Sequence, residues 1–349
     1  DLVRLAGATP SWTGTVPDNG EAKEFMGNTI MNGFGLQEEM STSAPHVDGT
    51  QFIKGTISNF LWWGNLYVPG NYRGSKISTM QMNCNVTRSI FGGTVGLHKG
   101  PSMPWGFNPG DDSTGLTPLQ TGYLVFANLT LIHVEQSSSN IKISSQGRAF
   151  GELLFQNVWC VAGSGSGNSI LWDGANFAAT DAVRVRKPNT IDANGTSITS
   201  NFNWIDNPAN ASEAMARATP KIGGAAASQG VGALNTSGSF RTTEHPPMHG
   251  DKPLLTNSGA DVIVTPQASK RAAVTPVRWM IAYRNADGAA WTFIPAIPSP
   301  NTLPAYTDYL SGATYTLVAP NKTGLQVMTK WIGTNGLEGT WSEIQTVIV

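Results

Sequence analysis

The sequence predicts an all-β protein, and its composition supports this class in two ways. Of the 349 residues, 13% are charged, 39 are Gly and 21 are Pro. A typical soluble domain has about 25% charged residues. Gly and Pro mark the turns between short strands, whereas helices draw on Ala, Leu, Glu, Lys and Arg. The chain is long enough for roughly two or three domains and a sizeable core.

Four apolar runs indicate the architecture of the longer part, residues 26–204. The runs are Thr56–Trp63, Asn85–Phe91, Leu129–Glu135 and Glu152–Trp159. Each alternates apolar and polar residues, which is typical of a strand. One coil of a β-helix takes roughly 20–30 residues. The spacing therefore favours a right-handed parallel β-helix, with two coils or an inserted loop between the second and third runs. The alternative is an antiparallel jelly roll of the kind found in viral coat proteins.

The remaining regions are predicted to differ from this body. Residues 1–25 are expected to be irregular, and residues 205–262 form a connector with a short helix at Ala209–Ala218. The connector is expected to be flexible or held against a neighbouring subunit. Residues 263–349 are predicted to form a compact β-sandwich. Its predicted strands are Asp261–Thr265, Val277–Tyr283, Trp291–Ile294, Thr314–Val318, Leu325–Ile332 and Gln345–Val349.

Several functional classes lack support in the sequence. A net charge of -1 gives no basic footprint for nucleic acid or an anionic membrane, and no apolar run is long enough for a membrane span. Motifs for nucleotide binding, zinc proteases and α/β-hydrolases do not occur. Cys84 and Cys160 are expected to be buried free thiols that share one interior stack. Because the chain begins with Asp1, a processed end or a fragment is expected.

Two strings resemble a known family. These are PHVDGTQF at Pro45–Phe52 and FGGTVGLHKG at Phe91–Gly100. The region from Asn28 to Trp159 is similar to the pectin-lyase-like superfamily of right-handed parallel β-helix proteins. That superfamily contains polysaccharide lyases, glycoside hydrolases, epimerases and bacteriophage tailspikes. The last 35 or so residues resemble the final strands of a fibronectin type III-like or Ig-like sandwich.

The resemblance implies a set of catalytic residues. Asp48 would be a general acid or base with His46 as its partner, and Gln51 would face the opposite side of the strand. The alternative is that Asp48 and His46 hydrogen-bond turn amides. Hydrolysis of a glycosidic bond usually needs a second carboxylate. The candidates are Glu38, Glu39, Asp111, Asp112, Glu135 and Glu152, and Glu39, in the loop just before Asp48, is the one we favour.

A lyase would need a cation to neutralise a uronic carboxylate. The available cations are Lys54, Arg73, Arg88, His98, Lys99 and Arg148, and Lys99 is the one we favour. No cofactor or metal site is predicted. A calcium ion bound by Asp111 and Asp112 is the alternative interpretation of that acidic loop.

Aromatic side chains provide candidate sugar contacts. Trp62 and Trp63 are adjacent, so in a strand one faces inward and the other outward. Tyr67, Tyr72 and Trp105 lie in or beside predicted turns. Such rings stack on sugars while groups such as the Gln51 amide bind hydroxyls. The alternative is that the rings pack the ends of the body or a subunit interface.

Three functions follow from these observations and the resemblance. The first is a virion spike or secreted protein, at the cell exterior or virion surface, that binds a surface polysaccharide, with depolymerisation as a further expected activity. Tailspikes of this layout imply a homotrimer and contacts with other virion proteins. The second is a structural virion or capsid protein without enzymatic activity, and the third is a secreted polysaccharide lyase.

Overall fold

Strands predominate in the computed structural model, as the sequence predicts. The structure describes residues 3–6, 23–26, 29–31, 47–68, 77–98, 105–107, 123–133, 141–143, 151–162, 170–172, 185–194, 198–203, 211–242, 244–270, 272, 275–318 and 320–347. Within these ranges there are four sheets and three helices. None of the described helices is long and apolar enough to cross a membrane.

The first sheet has six parallel strands in the order β1-β4-β7-β10-β12-β14. With strands numbered along the chain, they are β1 (Val3–Ala6), β4 (Val47–Ser58), β7 (Ile77–Thr87), β10 (Trp105–Phe107), β12 (Ile141–Ile143) and β14 (Ile170–Trp172). Each strand pairs with the next member of this series and not with its neighbour in sequence. The strands that lie between two successive members of this series along the chain belong to the second sheet.

The second sheet has ten strands and is also parallel throughout. They are β2 (Lys23–Met26), β3 (Thr29–Met31), β5 (Phe60–Trp63), β6 (Leu66–Val68), β8 (Ser89–Gly92), β9 (Val95–His98), β11 (Tyr123–His133), β13 (Glu152–Ala162), β15 (Val185–Arg186) and β16 (Ile191–Asn194). The first half of β11 continues the series of paired strands β2, β5 and β8. Its second half continues the series β3, β6 and β9. β13 continues both ladders.

The two faces of the second sheet bury different sets of side chains. Along β11, Leu124 and Phe126 belong to one core cluster, while Val125 and Ala127 belong to another. In the first cluster the rings stack from strand to strand. The centroids of Phe91 and Phe126 lie 5.6 Å apart, and those of Phe126 and Phe155 lie 4.7 Å apart at an interplanar angle of 8°. The period-2 alternation in the sequence is thus used on both faces.

Hydrogen-bonded asparagine side chains connect neighbouring strands of the second sheet at a bend, and we call them the asparagine ladder. Asn128, Asn157 and Asn189 all have positive φ, of 47°, 55° and 47°, a conformation that Asn tolerates better than most residues. Asn157 Nδ2 donates to Asn128 Oδ1 at 3.1 Å, and Asn189 Nδ2 donates to Asn157 Oδ1 at 2.9 Å. Asn59 and Arg88 adopt the same backbone conformation where β4 gives way to β5 and β7 to β8. The bend therefore recurs on successive strands.

Lack of space explains why glycine occupies positions 92 and 93 in the string FGGTVGLHKG. A Cβ on Gly92 would lie 1.8 Å from the carbonyl oxygen of Ala127 and 2.8 Å from the ring of Trp63. Gly93 has a φ of 54° and also lies against this ring. Only glycine fits between Trp63 and the neighbouring strand.

The predicted connector is packed on its own chain. It contains helices α2 (Ala211–Ala218) and α3 (Ala225–Gln229), and helix α1 (Ile198–Asn201) lies just before it. Ala214, Val231 and Leu234 are buried in one cluster with Ile132 and Val161 of the second sheet. The expectation of a flexible segment was therefore wrong for these residues, and contact with a neighbouring subunit stays a prediction. The helix predicted at Ala209–Ala218 is confirmed as α2.

The carboxy-terminal part consists of two antiparallel sheets. The first contains β17 (Leu254–Ser258), β18 (Asp261–Thr265) and β21 (Tyr315–Leu317), and the second contains β19 (Arg278–Arg284), β20 (Thr292–Ile294), β22 (Gln326–Ile332), β23 (Glu338–Trp341) and β24 (Gln345–Thr346). Val262 and Val264 of the first sheet share a core with Trp279, Ile281 and Val327 of the second. The six predicted strands are present, but β17 and β23 were missed.

The other face of the five-stranded sheet meets the parallel body. Met248 and Leu337 are buried with Trp63, Val125 and Leu154. The outer face of the second parallel sheet is therefore covered partly by the connector and partly by the antiparallel sheet. This junction contains the charged groups considered next.

Candidate binding cleft and buried ion cluster

A polar cleft of about 580 Å³ opens where the end of the connector meets the carboxy-terminal sheets. Its lining comes from the segment before β17, the segment after β18 and the turn between β23 and β24. The lining residues are His249, Gly250, Asp251, Lys252, Pro253, Leu254, Leu255, Gln267, Lys270, Glu343 and Gln345.

The rear wall of the cleft is fixed by hydrogen bonds around His249. Its backbone N–H donates to Thr340 Oγ1 at 3.1 Å, and its Nδ1 lies 2.6 Å from the carbonyl oxygen of Gly250. Because a carbonyl only accepts, Nδ1 carries a proton. Nε2 contacts Oδ1 of Asn59, which lies in the bend between β4 and β5. Gly250 approaches Gln267 so closely that a Cβ would lie 2.3 Å from its carbonyl oxygen.

Ion pairs line the mouth of the cleft. Lys270 Nζ lies 3.2 Å from Asp251 Oδ1, and Lys252 Nζ lies 3.5 Å from Glu343 Oε2. Glu343 Oε1 also lies 3.6 Å from Arg88, at the bend between β7 and β8. These pairs are partly exposed, so each adds little to stability. They place hydrogen-bond donors and acceptors side by side on an accessible wall.

A second group of charges is completely enclosed between the parallel body and β22 and β23. Arg186 binds Glu338 through two contacts, NH1 to Oε2 at 2.6 Å and NH2 to Oε1 at 2.9 Å. Lys330 Nζ lies 2.6 Å from Glu152 Oε2 and 3.0 Å from Glu338 Oε2. Tyr309 donates to Glu338 Oε1 at 2.7 Å. We call Glu152, Arg186, Tyr309, Lys330 and Glu338 the ion cluster.

The pKa values in the ion cluster are set by competition between burial and charge. Burial alone would raise the pKa of Glu338, but the charges of Arg186 and Lys330 outweigh it and hold that pKa well below its usual range. Burial likewise disfavours the guanidinium, yet Glu338 raises the pKa of Arg186. Burial, reinforced by the Glu338 charge, raises the pKa of Tyr309. Glu338 is therefore ionised and Tyr309 is a proton donor at neutral pH.

The tryptophans predicted to contact sugar are in the core. Trp62 belongs to the cluster of Leu124 and Phe126, which we call the inner cluster, and Trp63 belongs to the outer cluster of Val125 and Ala127. The prediction that the two tryptophans face opposite ways is therefore confirmed. Their exposed fractions are 0% and 1%, so the prediction that they bind sugar was wrong. The antiparallel sheets cover the side of Trp63 that the strand pattern left open.

The other predicted substrate contacts are placed only in part. Tyr67 lies in β6 opposite Ile30 of β3, and Gln51 lies in β4 opposite Gln81 of β7. Trp105 opens β10 and pairs with Met80 and Ile141. Tyr72 lies outside the described residues.

Most predicted catalytic residues also fall outside the part of the chain that the structure describes. These are Glu39, His46 and Lys99, together with Asp111 and Asp112 of the calcium alternative. Asp48 lies in β4 and pairs with Ser78 of β7. Within the described ranges, no group of three or more His, Cys, Asp and Glu side chains could hold a metal ion.

Two residues from the wider candidate sets have structural partners. Glu152, considered as a second carboxylate for Asp48, is buried in the ion cluster. Arg88, considered as a lyase cation, pairs with Glu343 at the cleft. Cys160 is a buried free thiol in the inner cluster, as predicted.

The cleft itself was missed by the sequence analysis. Its rear wall comes from the string EHPPMHGDKP (244–253), which has no strand or helix periodicity. A dense group of His, Gly, Asp and Lys between Pro residues is the signal that marks such a loop. The other wall lies about a hundred residues further along the chain, and no local pattern connects the two.

No protein-family model, curated protein sequence or solved structure matches the chain. Function is therefore inferred from the cleft and the parallel ladders.

Proposed function

We propose that the protein binds a surface polysaccharide through the polar cleft, as an extracellular or virion-surface protein. The observation that carries this proposal is the lining of the cleft. Two lysines, two carboxylates and two side-chain amides lie beside Pro253, Leu254 and Leu255 in one space of about 580 Å³. A sugar presents the matching chemistry, since its hydroxyls both donate and accept while its C–H faces are apolar.

The body that presents this cleft is, in our proposal, a right-handed parallel β-helix. Its support is the parallel pairing of strands that are far apart in sequence. Phe60 and Ser89, Asn65 and Thr94, and Asn128 and Asn157 are hydrogen-bonded pairs 29 positions apart. Other pairs in the second sheet lie 32 positions apart, as in Leu153 and Val185, or 35 apart, as in Ser89 and Leu124. Steps of roughly 30 residues fit one coil per repeat, with loops of different lengths. Right-handed connection is the general rule for parallel strands.

Recognition, and not cleavage, is what the cleft favours. Asp251 and Glu343 are each paired with a lysine, an arrangement that holds a hydroxyl between fixed charges. Depolymerisation stays a prediction attached to His46, Asp48, Glu39 and Lys99. Homotrimeric assembly and contact with other virion proteins likewise belong to this proposal through the resemblance to tailspikes.

The test is glycan binding by the full chain and by variants of the cleft. A panel of bacterial and algal polysaccharides would be screened, and bound ones titrated by calorimetry. Lys252→Ala and Lys270→Ala should each weaken binding about tenfold, since a charged hydrogen bond contributes roughly 1.5–3 kcal/mol. Lys322→Ala is the matched control, because Lys322 is partly exposed and lies outside the cleft.

Two results would contradict the proposal. One is the absence of binding across the panel. The other is a bound glycan whose affinity is the same in the Lys252 and Lys270 variants as in the wild type. Reducing ends released by the wild type, and lost in Asp48→Asn, would add depolymerisation to binding.

A further inference from the structure

The ion cluster has the geometry of an amide-forming site. Lys330 Nζ lies 2.6 Å from Glu152 Oε2, and the side chains of the two residues are 0% and 4% exposed. We propose that Lys330 and Glu152 condense into an intramolecular amide that joins β22 to β13. This inference does not rest on glycan binding.

The nucleophile and its proton acceptor are in contact. A lysine amine attacks only after it loses a proton. Glu338 Oε2 lies 3.0 Å from the same Nζ, within reach for proton transfer. Arg186 and Tyr309 hold the Glu338 carboxylate in place.

The acyl group is also held by suitable donors. Trp341 Nε1–H donates to Glu152 Oε2 at 3.0 Å, and Arg186 NH1 lies 3.4 Å from Glu152 Oε1. Attack on Glu152 Cδ places negative charge on these oxygens, and donors aimed at them lower the energy of the tetrahedral intermediate. The cluster thus contains a nucleophile, a base, an electrophile and oxyanion donors.

The reaction is balanced without another reactant. A bond forms between Lys330 Nζ and Glu152 Cδ, and one C–O bond of Glu152 breaks. Of the three protons on the ammonium, one stays on the amide nitrogen and two leave with the oxygen as water. Glu338 relays these protons and ends ionised.

The charges that remain after condensation form a complete pair. The reaction removes one buried cation and one buried anion, each of which carries a desolvation cost. Arg186 and Glu338 are left in their two-contact arrangement, with Tyr309 donating to Glu338. The product therefore keeps a neutral and hydrogen-bonded core.

The test is the intact mass of the purified full chain under denaturing conditions. We expect a mass lower by one water than the sequence requires. Lys330→Arg, which keeps the cation, and Glu338→Gln, which removes the base, should both show the full sequence mass. Lys322→Arg should keep the loss of water, since Lys322 bonds only a backbone carbonyl at the surface.

A digest locates the bond and excludes another source of water loss. A succinimide at Asp287–Gly288 also releases water but joins no two peptides. Trypsin should yield residues 149–184 linked to residues 323–349, uncleaved after Lys330. The full sequence mass for folded wild-type protein, fresh and after prolonged incubation, would overturn the proposal whether or not any variant folds. Loss of water without the linked peptides would overturn it too.

Discussion

The two faces of the second parallel sheet are buried by different chemistry. Its inner face is apolar and stacks like on like, as in Phe91, Phe126 and Phe155. Its outer face is covered partly by the connector and partly by the antiparallel sheets. Under the antiparallel sheets it contains Glu152 and Arg186, whose charges meet Lys330 and Glu338. An apolar face can be covered by another element in many orientations, whereas buried charges are paired in only one orientation. The comparison suggests that the inner face supplies stability and the outer face fixes how the carboxy-terminal part docks.

The largest effect should come from removing one charge of the outer face. Glu338→Gln leaves Arg186 and Lys330 with only Glu152 as a counter-charge, so the free energy of unfolding should fall by about 4 kcal/mol. Urea unfolding followed by tryptophan fluorescence measures this change. Glu343→Gln, at the partly exposed cleft, is the control and should cost less than about 1 kcal/mol. Equal effects in the two variants would remove the distinction between buried and exposed pairs.

A cavity in the inner face should have the next largest effect. Phe126 is 0% exposed and stacks on rings on both sides. Phe126→Ala should lower the free energy of unfolding by about 3 kcal/mol, because neighbouring rings relax only partly into the space. Phe126→Leu should recover more than half of this loss. If Phe126→Ala lowers the free energy of unfolding more than Glu338→Gln does, the apolar inner face contributes more to stability than the buried charges.

The asparagine ladder connects strands at the rim of both faces and should have a smaller effect. Asn157→Ala loses hydrogen bonds to Asn128 and Asn189 and forces alanine into positive φ. We expect a loss of about 2 kcal/mol in chemical denaturation. Asn157→Gly keeps the backbone conformation, so it separates the two causes. If Asn157→Gly loses more stability than Asn157→Ala, the positive φ at this position is not what limits the choice of residue.

The pH dependence of the outer face follows from its pKa shifts. The lowered pKa of Glu338 gives stability that is present above its ordinary value of 4.5 and lost as pH falls. The raised pKa of Tyr309 gives stability that is present below 10.0 and lost as pH rises above it. Above pH 10.0, Tyr309→Phe should lose stability less steeply than the wild type, by up to about 1.4 kcal/mol per pH unit. Parallel unfolding curves for the two proteins at alkaline pH would contradict the buried hydrogen bond to Glu338.

Local pattern predicted much of the secondary structure but little of the candidate site. The run at Glu152–Trp159 became the first part of β13 because alternation in a strand depends only on neighbours in sequence. The same run could not show that Glu152 faces Lys330, 178 positions away. The strand β23 was missed because EGTW is short and carries a charge and a Gly. That charge is Glu338, which is favourable in a strand only because Arg186 and Lys330 meet it.

The sequence alone determined a β-rich chain, the apolar strand runs of the parallel body, six carboxy-terminal strands, the opposite faces of Trp62 and Trp63, and the helix α2. Each depends on composition or on a period of two or about 3.6 residues, and such a pattern can be recognised from a few neighbouring residues. Tertiary structure decided which faces are covered, and it turned Trp63 from a candidate sugar platform into part of the core. It also assembled the cleft and the ion cluster. Both sites join segments that are far apart in sequence, and their energies arise from burial and charge pairing that exist only once those segments meet.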